Sequence, residues 1–381
     1  MMQQVKQMRE EMVTVEFTEI AQTGEAIGRV DGVVLFVPFG FPGDRAEVVI
    51  TERKRNFARG RLVRLLTASP QRTLPRCPHF TICGGCEWQH IPYAEQLRLK
   101  QHTVHTQLTR IGKLSDPNVL ACLPSPQAYG YRNHARLQRT PSGAIGYRAA
   151  RSHAVVAVET CPILEPALEQ ALQQLSLQAL PTAQGELELR VPMPLQIGDY
   201  RYRIGPDSFF QVNTAVAAQL VAETLRALAL QGQEQVLELY CGMGLFTVPI
   251  AAQAGYVLGI EGNGAAIVDA RANALAADVS ARVDFITGSV EEALYQPAVQ
   301  QRRWDAIVLD PPRAGVAQSA LQTLLDLAAP TVVYVSCDPA TLARDAQILC
   351  ANGYCLQAAQ PLDMFPQTHH VETVALFTRM A

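Results

Sequence analysis

Residues 13 to 68 carry short runs in which apolar and polar positions alternate, VTVEFTEIA, VVLFVPF, RAEVVIT and GRLVRLL, separated by the glycine-rich breaks GEAIGRVDG and GFPGD. Alternation at period two marks strands with one buried face, and this spacing of strands and turns predicts a small β-barrel. The period lengthens from Tyr93 to Ile111, where Leu97, Val104, Leu108 and Ile111 share one helical stripe and Gly112 is a stop, so a helix is expected over 93–111. Residues 120 to 205 return to short apolar runs between turns, among them HAVVAVETC, GELELRV and DYRYRIGP, and predict a mostly β central part. From Phe209 onward strand-like and helix-like segments take turns. VLELY precedes TVPIAAQA, VLGIE precedes AAIVDARANALAA, WDAIVLD precedes SALQTLLDLA, VVYVS precedes ATLARDAQILCANG, and VETVALFTR closes the series. That rhythm predicts an α/β, doubly wound sheet. The expected units are a barrel over 12–70, a central domain over 71–205, whose helix 93–111 packs on the last unit, and the α/β domain over 206–381.

Composition narrows the class. The chain has 381 residues and 48% hydrophobic content, ordinary for a globular protein of two or three domains. No run reaches the roughly 18 uncharged apolar residues of a membrane span. The opening MMQQVKQMREEM is charged throughout and lacks an apolar signal core, so a cytoplasmic location with no membrane partner is expected. In that compartment the nine cysteines are expected to be thiols, metal ligands or catalysts rather than disulfides. A net charge of -3 conceals an asymmetry: residues 1 to 150 hold 20 Lys and Arg against 12 Asp and Glu, and the remainder 12 against 23. Between Arg53 and Arg76 stand eight basic residues, Arg53, Lys54, Arg55, Arg59, Arg61, Arg64, Arg72 and Arg76, and no acid. Phosphate binding would favour such a stretch; a solvated charged face would show it too.

Candidate chemistry gathers where strands end. In VLELYCGMG, residues 236 to 244, a strand runs into a turn at Gly242 and Gly244, which let backbone approach a ligand, and Glu261 ends the next strand 23 residues after Glu238. An acid placed there can accept both hydroxyls of a ribose, as in a dinucleotide or in S-adenosylmethionine. The turn is not GxGxxG, which disfavours a nicotinamide cofactor. The next strand runs out through IVLDPPRAG with Asp310 at its carboxyl end and two prolines that force an extended loop. Amino-group methyltransferases use a similar Asp-Pro-Pro turn, usually followed by an aromatic; here Arg313 follows. In VVYVSCDPATLARD, Pro339 cannot extend a ladder, so Cys337 sits at a strand's carboxyl end, the edge at which open α/β sheets bind ligands. Cys337 is there as a small buried hydrophobe or as a nucleophile.

Taken in order, FFQVN, ELYCGMG, GIEGN, LDPPRAG, SCDPATLARD and FPQTHHVE closely resemble the RNA uracil-5-methyltransferases, over nearly the whole segment from Phe209 onward. Residues 13 to 68 resemble the TRAM domain that this family often carries, and TLPRCPHFTICGGCEWQH resembles its iron–sulfur motif. The resemblance implies a Rossmann-like methyltransferase domain behind a TRAM (OB-like) barrel. It implies Cys337 as the nucleophile that adds to carbon 6 of uracil, which makes carbon 5 nucleophilic enough to take a methyl group. It implies Glu372, in His370-Val371-Glu372, as the base that removes the carbon 5 proton and so expels the cysteine. Gln211, Tyr240, Glu261 and Asp310 are then expected to contact S-adenosylmethionine. Bacterial members that combine TRAM and cluster act on large-subunit ribosomal RNA, so 23S rRNA is the expected partner; a tRNA target and RNA amino-group methylation are the alternatives.

Three positions depart from the family pattern. Leu245 and Ser289 stand where Asn is frequent, removing polar contact to the cofactor, and Asp338 replaces a common Asn, which would raise the thiol pKa if its charge were unpaired. Cys77, Cys83 and Cys86 are spaced C-x5-C-x2-C around Gly84 and Gly85, with Cys161 as the natural fourth ligand. Four thiolates suit zinc or iron–sulfur by spacing alone, and the resemblance implies a structural 4Fe–4S cluster. Cys122, Cys241, Cys350 and Cys355 read as packing thiols. The target base must leave its stack, and Arg132 and Arg136 could hold the flanking strand.

Overall fold

The computed structural model describes residues 11–21, 23–140, 143–150, 152–176 and 185–380. The charged opening, residues 1–10, lies outside them. Strands β1 (Met12–Ile20), β2 (Ala26–Val30), β3 (Val33–Val37), β4 (Arg45–Arg53) and β5 (Phe57–Thr67) close into a barrel in the order β1-β2-β3-β5-β4. Val15, Phe17, Leu35, Val37, Val48 and Ile50, the inward residues of the alternating runs, fill it. Each such side chain is worth about 1.5–3 kcal/mol on burial, which suits so small a unit.

Helix α1 (Tyr93–Arg110) follows the cysteine segment. Its buried face is Gln96, Leu99, Lys100, Val104, Thr106 and Leu108. This differs from the stripe read off the sequence: Leu97 is half-buried, Ile111 is exposed, and three polar residues take buried places. Val104 and Leu108 belong to the same apolar cluster as Leu342, Ala343 and Ala346 of the last unit.

The central part holds β6 (His134–Arg139), β7 (Ile145–Arg148), β8 (Val155–Ala157), helix α2 (Pro166–Ser176) and β9 (Gly185–Arg190), with an antiparallel sheet in the order β8-β7-β6-β9. Helix α2, not foreseen in a mostly β region, buries Leu168 and Leu172. A two-stranded ribbon, β10 (Leu195–Ile197) and β11 (Tyr200–Tyr202), leads to helix α3 (Thr214–Leu228), capped by Asn213.

The last unit alternates β12 (Gln235–Leu239), α4 (Thr247–Gln253), β13 (Tyr256–Glu261), α5 (Gly264–Ala276), β14 (Val283–Thr287), short helices α6 (Val290–Ala293) and α7 (Pro297–Gln300), β15 (Ala306–Leu309), α8 (Gln318–Leu327), β16 (Thr331–Ser336) and α9 (Pro339–Ala351). It ends in the antiparallel pair β17 (Tyr354–Leu362) and β18 (Glu372–Arg379). The sheet order is β14-β13-β12-β15-β16-β18-β17. Strands β12 to β16 are parallel, and β12, β13, β15 and β16 are mostly apolar and buried, as strands covered on both faces must be. The order reverses between β12 and β15, the switch point at which such sheets open a crevice. Among the described residues no helix is long and apolar enough to cross a membrane.

Candidate active site

Five of the six expected site residues of the α/β unit stand at the same sheet edge, and the sixth, Gln211, lies in the segment before α3. Glu261 ends β13, Tyr240 follows β12, Asp310 follows β15, Cys337 follows β16, and Glu372 begins β18. Sheet order therefore lays them out in one row. Strands β16 and β18 pair antiparallel with Ser336 opposite Thr373, so the next step outward sets Cys337 opposite Glu372.

The glycine turn is built for close approach. Tyr240, Gly242 and Gly244 have φ of 64°, 54° and 86°, a left-handed region that costs the tyrosine and not the glycines. The Gly242 N–H donates to Glu261 Oε2 at 3.1 Å and the Asn263 N–H to Oε1 at 2.7 Å, so the carboxylate is held in place. A Cβ on Gly259 would lie 2.9 Å from the Phe285 ring and 3.0 Å from Cys241 Sγ, which explains a glycine in the middle of β13. Glu238 is buried beneath the turn, accepts from Thr247 Oγ1 at 2.5 Å, and leaves Oε1 without a partner.

A cavity of about 850 Å³ runs along this edge. Gln211, Tyr240, Glu261, Asp310, Cys337 and Glu372 all line it, as do Phe209 and Arg313. Its size suits a cofactor together with a flipped base. Burial pushes the Cys337 thiol up to about 11, with the Glu372 and Asp310 carboxylates adding to the rise and Arg313 opposing it. Burial, then Asp310, holds Glu372 well above the usual carboxylate range, again opposed by Arg313. Asp310 itself is pushed up to about 7 by burial and by Glu261. The site thus crowds acids into low dielectric, each held above its ordinary value, with Asp310 near neutrality.

Two departures acquire a physical reading. Asp338 is the N-cap of α9 and accepts from the Ala340 and Thr341 N–H groups at 2.9 and 3.1 Å. Its charge is paired with a helix N-terminus, and the acids that raise the thiol are Glu372 and Asp310 instead. Ser289 caps α6 through the Glu292 N–H at 3.3 Å, while Leu245 is buried at the cavity wall. Arg313 had been noticed only as a missing aromatic; it is the cation facing the thiol and the base.

Cys77, Cys83, Cys86 and Cys161 line the same cavity. Burial pushes Cys86 up to about 12 and Cys161 up to about 11, and the neighbouring thiols add to both rises. Among the described residues no three His, Cys, Asp or Glu side chains converge on a single-ion site. Cys122 and Cys241 are buried as packing thiols should be and Cys350 is half-buried, whereas Cys355 is exposed and does not fit that reading.

The basic stretch of the barrel is less free than its sequence implies. Arg53 pairs with Glu11 at 2.8 Å, Lys54 with Glu52 at 3.0 Å, Arg59 with Glu25 at 2.5 Å, Arg64 with Glu47 at 3.0 Å and Arg72 with Asp44 at 2.5 Å. The acids come from neighbouring strands and loops. Exposed Arg55 and Arg61 have no ion-pair partner among the described residues, and Arg76 lies over the Tyr129 ring at 4.3 Å. Arg132 and Arg136 both line the cavity; Arg136 is largely exposed, with Glu186 and Glu188 each 3.9 Å away.

A doubly wound sheet with a glycine turn, a carboxylate fixed at the end of the second strand and a cavity at the switch point fits an S-adenosylmethionine-dependent methyltransferase. The comparisons specify which. The tRNA (Uracil-5-)-methyltransferase family model matches residues 188–380, and the TRAM domain model matches residues 6–63. The 23S rRNA (uracil(1939)-C(5))-methyltransferase RlmD of Edwardsiella ictaluri is 38% identical, with 97% of this chain and 96% of the relative covered. The protein of the same name from Klebsiella pneumoniae is 36% identical, with 97% and 96% covered. The Pyrococcus abyssi tRNA (uracil-54, C5)-methyltransferase, solved with S-adenosyl-L-homocysteine, superposes with a TM-score of 0.74 at 26% identity, covering 96% of this chain and all of that one. The chain belongs to the RNA uracil-5-methyltransferase family. It is an enzyme that transfers the methyl group of S-adenosylmethionine to carbon 5 of uridine in RNA.

Proposed function

We propose that this transfer runs through a covalent adduct between Cys337 and carbon 6 of the uracil, with Glu372 as the base that ends it. The observation that carries the reading is the β16–β18 register, which sets a thiol opposite a buried carboxyl at the rim of the cavity. Addition of the Cys337 thiolate at carbon 6 places electron density on carbon 5. Bound S-adenosylmethionine supplies the electrophilic methyl group. Glu372, acting in its carboxylate form, which the Arg313 cation favours against burial, then takes the carbon 5 proton, the electron pair re-forms the ring double bond, and the Cys337 sulfur leaves as thiolate. With the thiol pushed up to about 11 even beside Arg313, thiolate formation needs added positive charge, which a bound sulfonium would provide. Gln211, Tyr240, Glu261 and Asp310 hold the cofactor, the Glu261 carboxylate toward the ribose.

The RNA is 23S ribosomal RNA on this reading, because the relatives matched over their full length act on it at 36–38% identity, against 26% for the tRNA enzyme. A ribosomal substrate places the enzyme in the cytoplasm. The units 12–70, 71–205 and 206–381 divide the work: the barrel grips RNA, the central unit bridges, and the last performs the chemistry. Cys77, Cys83, Cys86 and Cys161 would hold a 4Fe–4S cluster. Four thiols lining one cavity fit that donor set. A closed four-thiolate set makes the group structural. Incubation with unmodified 23S rRNA and tRNA and labelled S-adenosylmethionine, followed by mapping, tests the assignment. A single 5-methyluridine in 23S rRNA supports it; methylation of tRNA alone overturns the substrate.

A further inference from the structure

The loop between β17 and β18, residues 363 to 371, delivers Glu372 to the sheet edge; Tyr131 and the Leu123 and Ala128 carbonyls hold parts of it, and a second set of holding groups comes from α1 and the cysteine segment. The Gln367 carbonyl accepts from the Glu87 and Trp88 N–H groups at 3.0 and 2.9 Å. Its N–H donates to Gln96 Oε1 at 3.0 Å, and its side-chain oxygen accepts from Gln96 Nε2 at 3.0 Å. One turn further along α1, Lys100 Nζ donates to Asp363 Oδ1 at 2.5 Å and to the Phe365 carbonyl at 3.1 Å. Both side chains of that ion pair are fully buried. An isolated ion pair in the interior is a poor source of stability, since desolvation offsets the attraction and an apolar pair of the same volume serves as well. What it supplies, and an apolar pair cannot, is direction: a fixed donor geometry on two points of one loop. Neither Gln96 nor Lys100 lines the cavity, so neither can touch substrate.

We propose that Gln96 and Lys100 are positioning residues for the release step, holding the loop so that the Glu372 carboxyl meets the carbon 5 proton of the methylated adduct. The inference rests on Glu372 being the base. It separates two steps that share one site: Cys337 is carried by β16 and is independent of the loop, so addition and methyl transfer do not need α1, whereas elimination does.

The test uses Gln96→Ala and the double substitution Lys100→Met with Asp363→Leu, which removes the pair without stranding a buried charge. Full-length protein is mixed with unmodified 23S rRNA and methyl-labelled S-adenosylmethionine, and denaturant-resistant, methyl-bearing RNA–protein species are followed through one turnover. Methyl transfer is expected within about threefold of the parent, adduct decay slowed about 10- to 100-fold, as misplacing a catalytic group by an ångström can do, and S-adenosylmethionine affinity unchanged. Gln96→Glu, which keeps the acceptor for the Gln367 N–H, should fall between. Folding is checked by thermal unfolding, and parental adduct decay in any folded variant, or methyl transfer and decay slowed by one common factor, overturns the proposal. Glu372→Gln run alongside separates the two failures. An adduct that persists in Glu372→Gln but not in the α1 variants sinks only the positioning role, and no persistent adduct in either sinks the base.

Discussion

The barrel and the carboxyl edge of the α/β sheet both concentrate charge, and they handle it in opposite ways. In the barrel, five of the eight basic residues between Arg53 and Arg76 find an acid on a neighbouring strand or loop. The pairs nearer the surface, those of Arg53, Lys54 and Arg64, are worth about 0–1 kcal/mol each, while Arg59 and Arg72 meet the buried acids Glu25 and Asp44; all five leave little net field for a phosphate to feel. At the sheet edge, Glu261, Asp310 and Glu372 are brought together out of water with Arg313 as the opposing cation. The fold spends stability there to hold, on Asp310 and Glu372, protons that ordinary carboxylates would release. Pairing makes charge inert; crowding and burial make it reactive.

The largest expected effect breaks the edge itself. Cys337→Ala should abolish 5-methyluridine formation while S-adenosylmethionine still binds with near-parental affinity, measured by calorimetry against methylation of 23S rRNA. Residual methylation would remove the adduct from the account. Arg313→Ala sharpens the comparison next. With its cation gone the thiol pKa rises further above about 11, so single-turnover methyl transfer at pH 7 should slow by about tenfold per unit of that rise and recover toward the parental rate as pH increases. An unchanged pH profile would mean that Arg313 does not act on the thiol.

Glu238 tests the same principle through stability. Burial raises its pKa to about 8, above the value near 4.5 of an unfolded glutamate, so the folded state binds its proton more tightly. Its contribution is fully present below the unfolded pKa and is lost as pH rises through the folded one. Glu238→Gln should therefore melt like the parent near pH 4 and higher than the parent at pH 9. Equal melting temperatures at both would contradict that. The smallest effects lie in the barrel: Arg55→Ala or Arg61→Ala should weaken RNA binding and lower the salt slope by about one, while Arg64→Ala, already paired, should change little. A larger loss from Arg64 would reverse the distinction drawn here.

Much of the site was legible because of how parallel strands end. A strand followed by Gly-Met-Gly, by Pro-Pro or by Asp-Pro announces its own carboxyl edge, so Tyr240, Asp310 and Cys337 could be placed on one rim from the sequence. Glu372 could not be placed that way, because β18 enters antiparallel after a loop; only the resemblance singled it out. Strands β14 and β17 escaped the pattern for a related reason. They are the edges of the sheet, with mixed exposure and, in β17, Pro361, which central strands exclude. The buried face of α1 was misread since Gln96 and Lys100 look like solvent-facing residues until Gln367 and Asp363, more than 260 positions away, meet them. Barrel charge was overread likewise, because the acids that pair with Arg53 and Arg64 lie on other parts of the chain.

The central claim is that Cys337 opens the reaction and Glu372 closes it, and Glu372→Gln examines both at once. The substitution keeps the shape of the side chain and removes its ability to take a proton. Mixed with unmodified 23S rRNA and methyl-labelled S-adenosylmethionine, this variant is expected to accumulate a denaturant-resistant RNA–protein species that carries the label, with peptide mapping placing the bond at Cys337. Normal turnover without a trapped species would contradict the account.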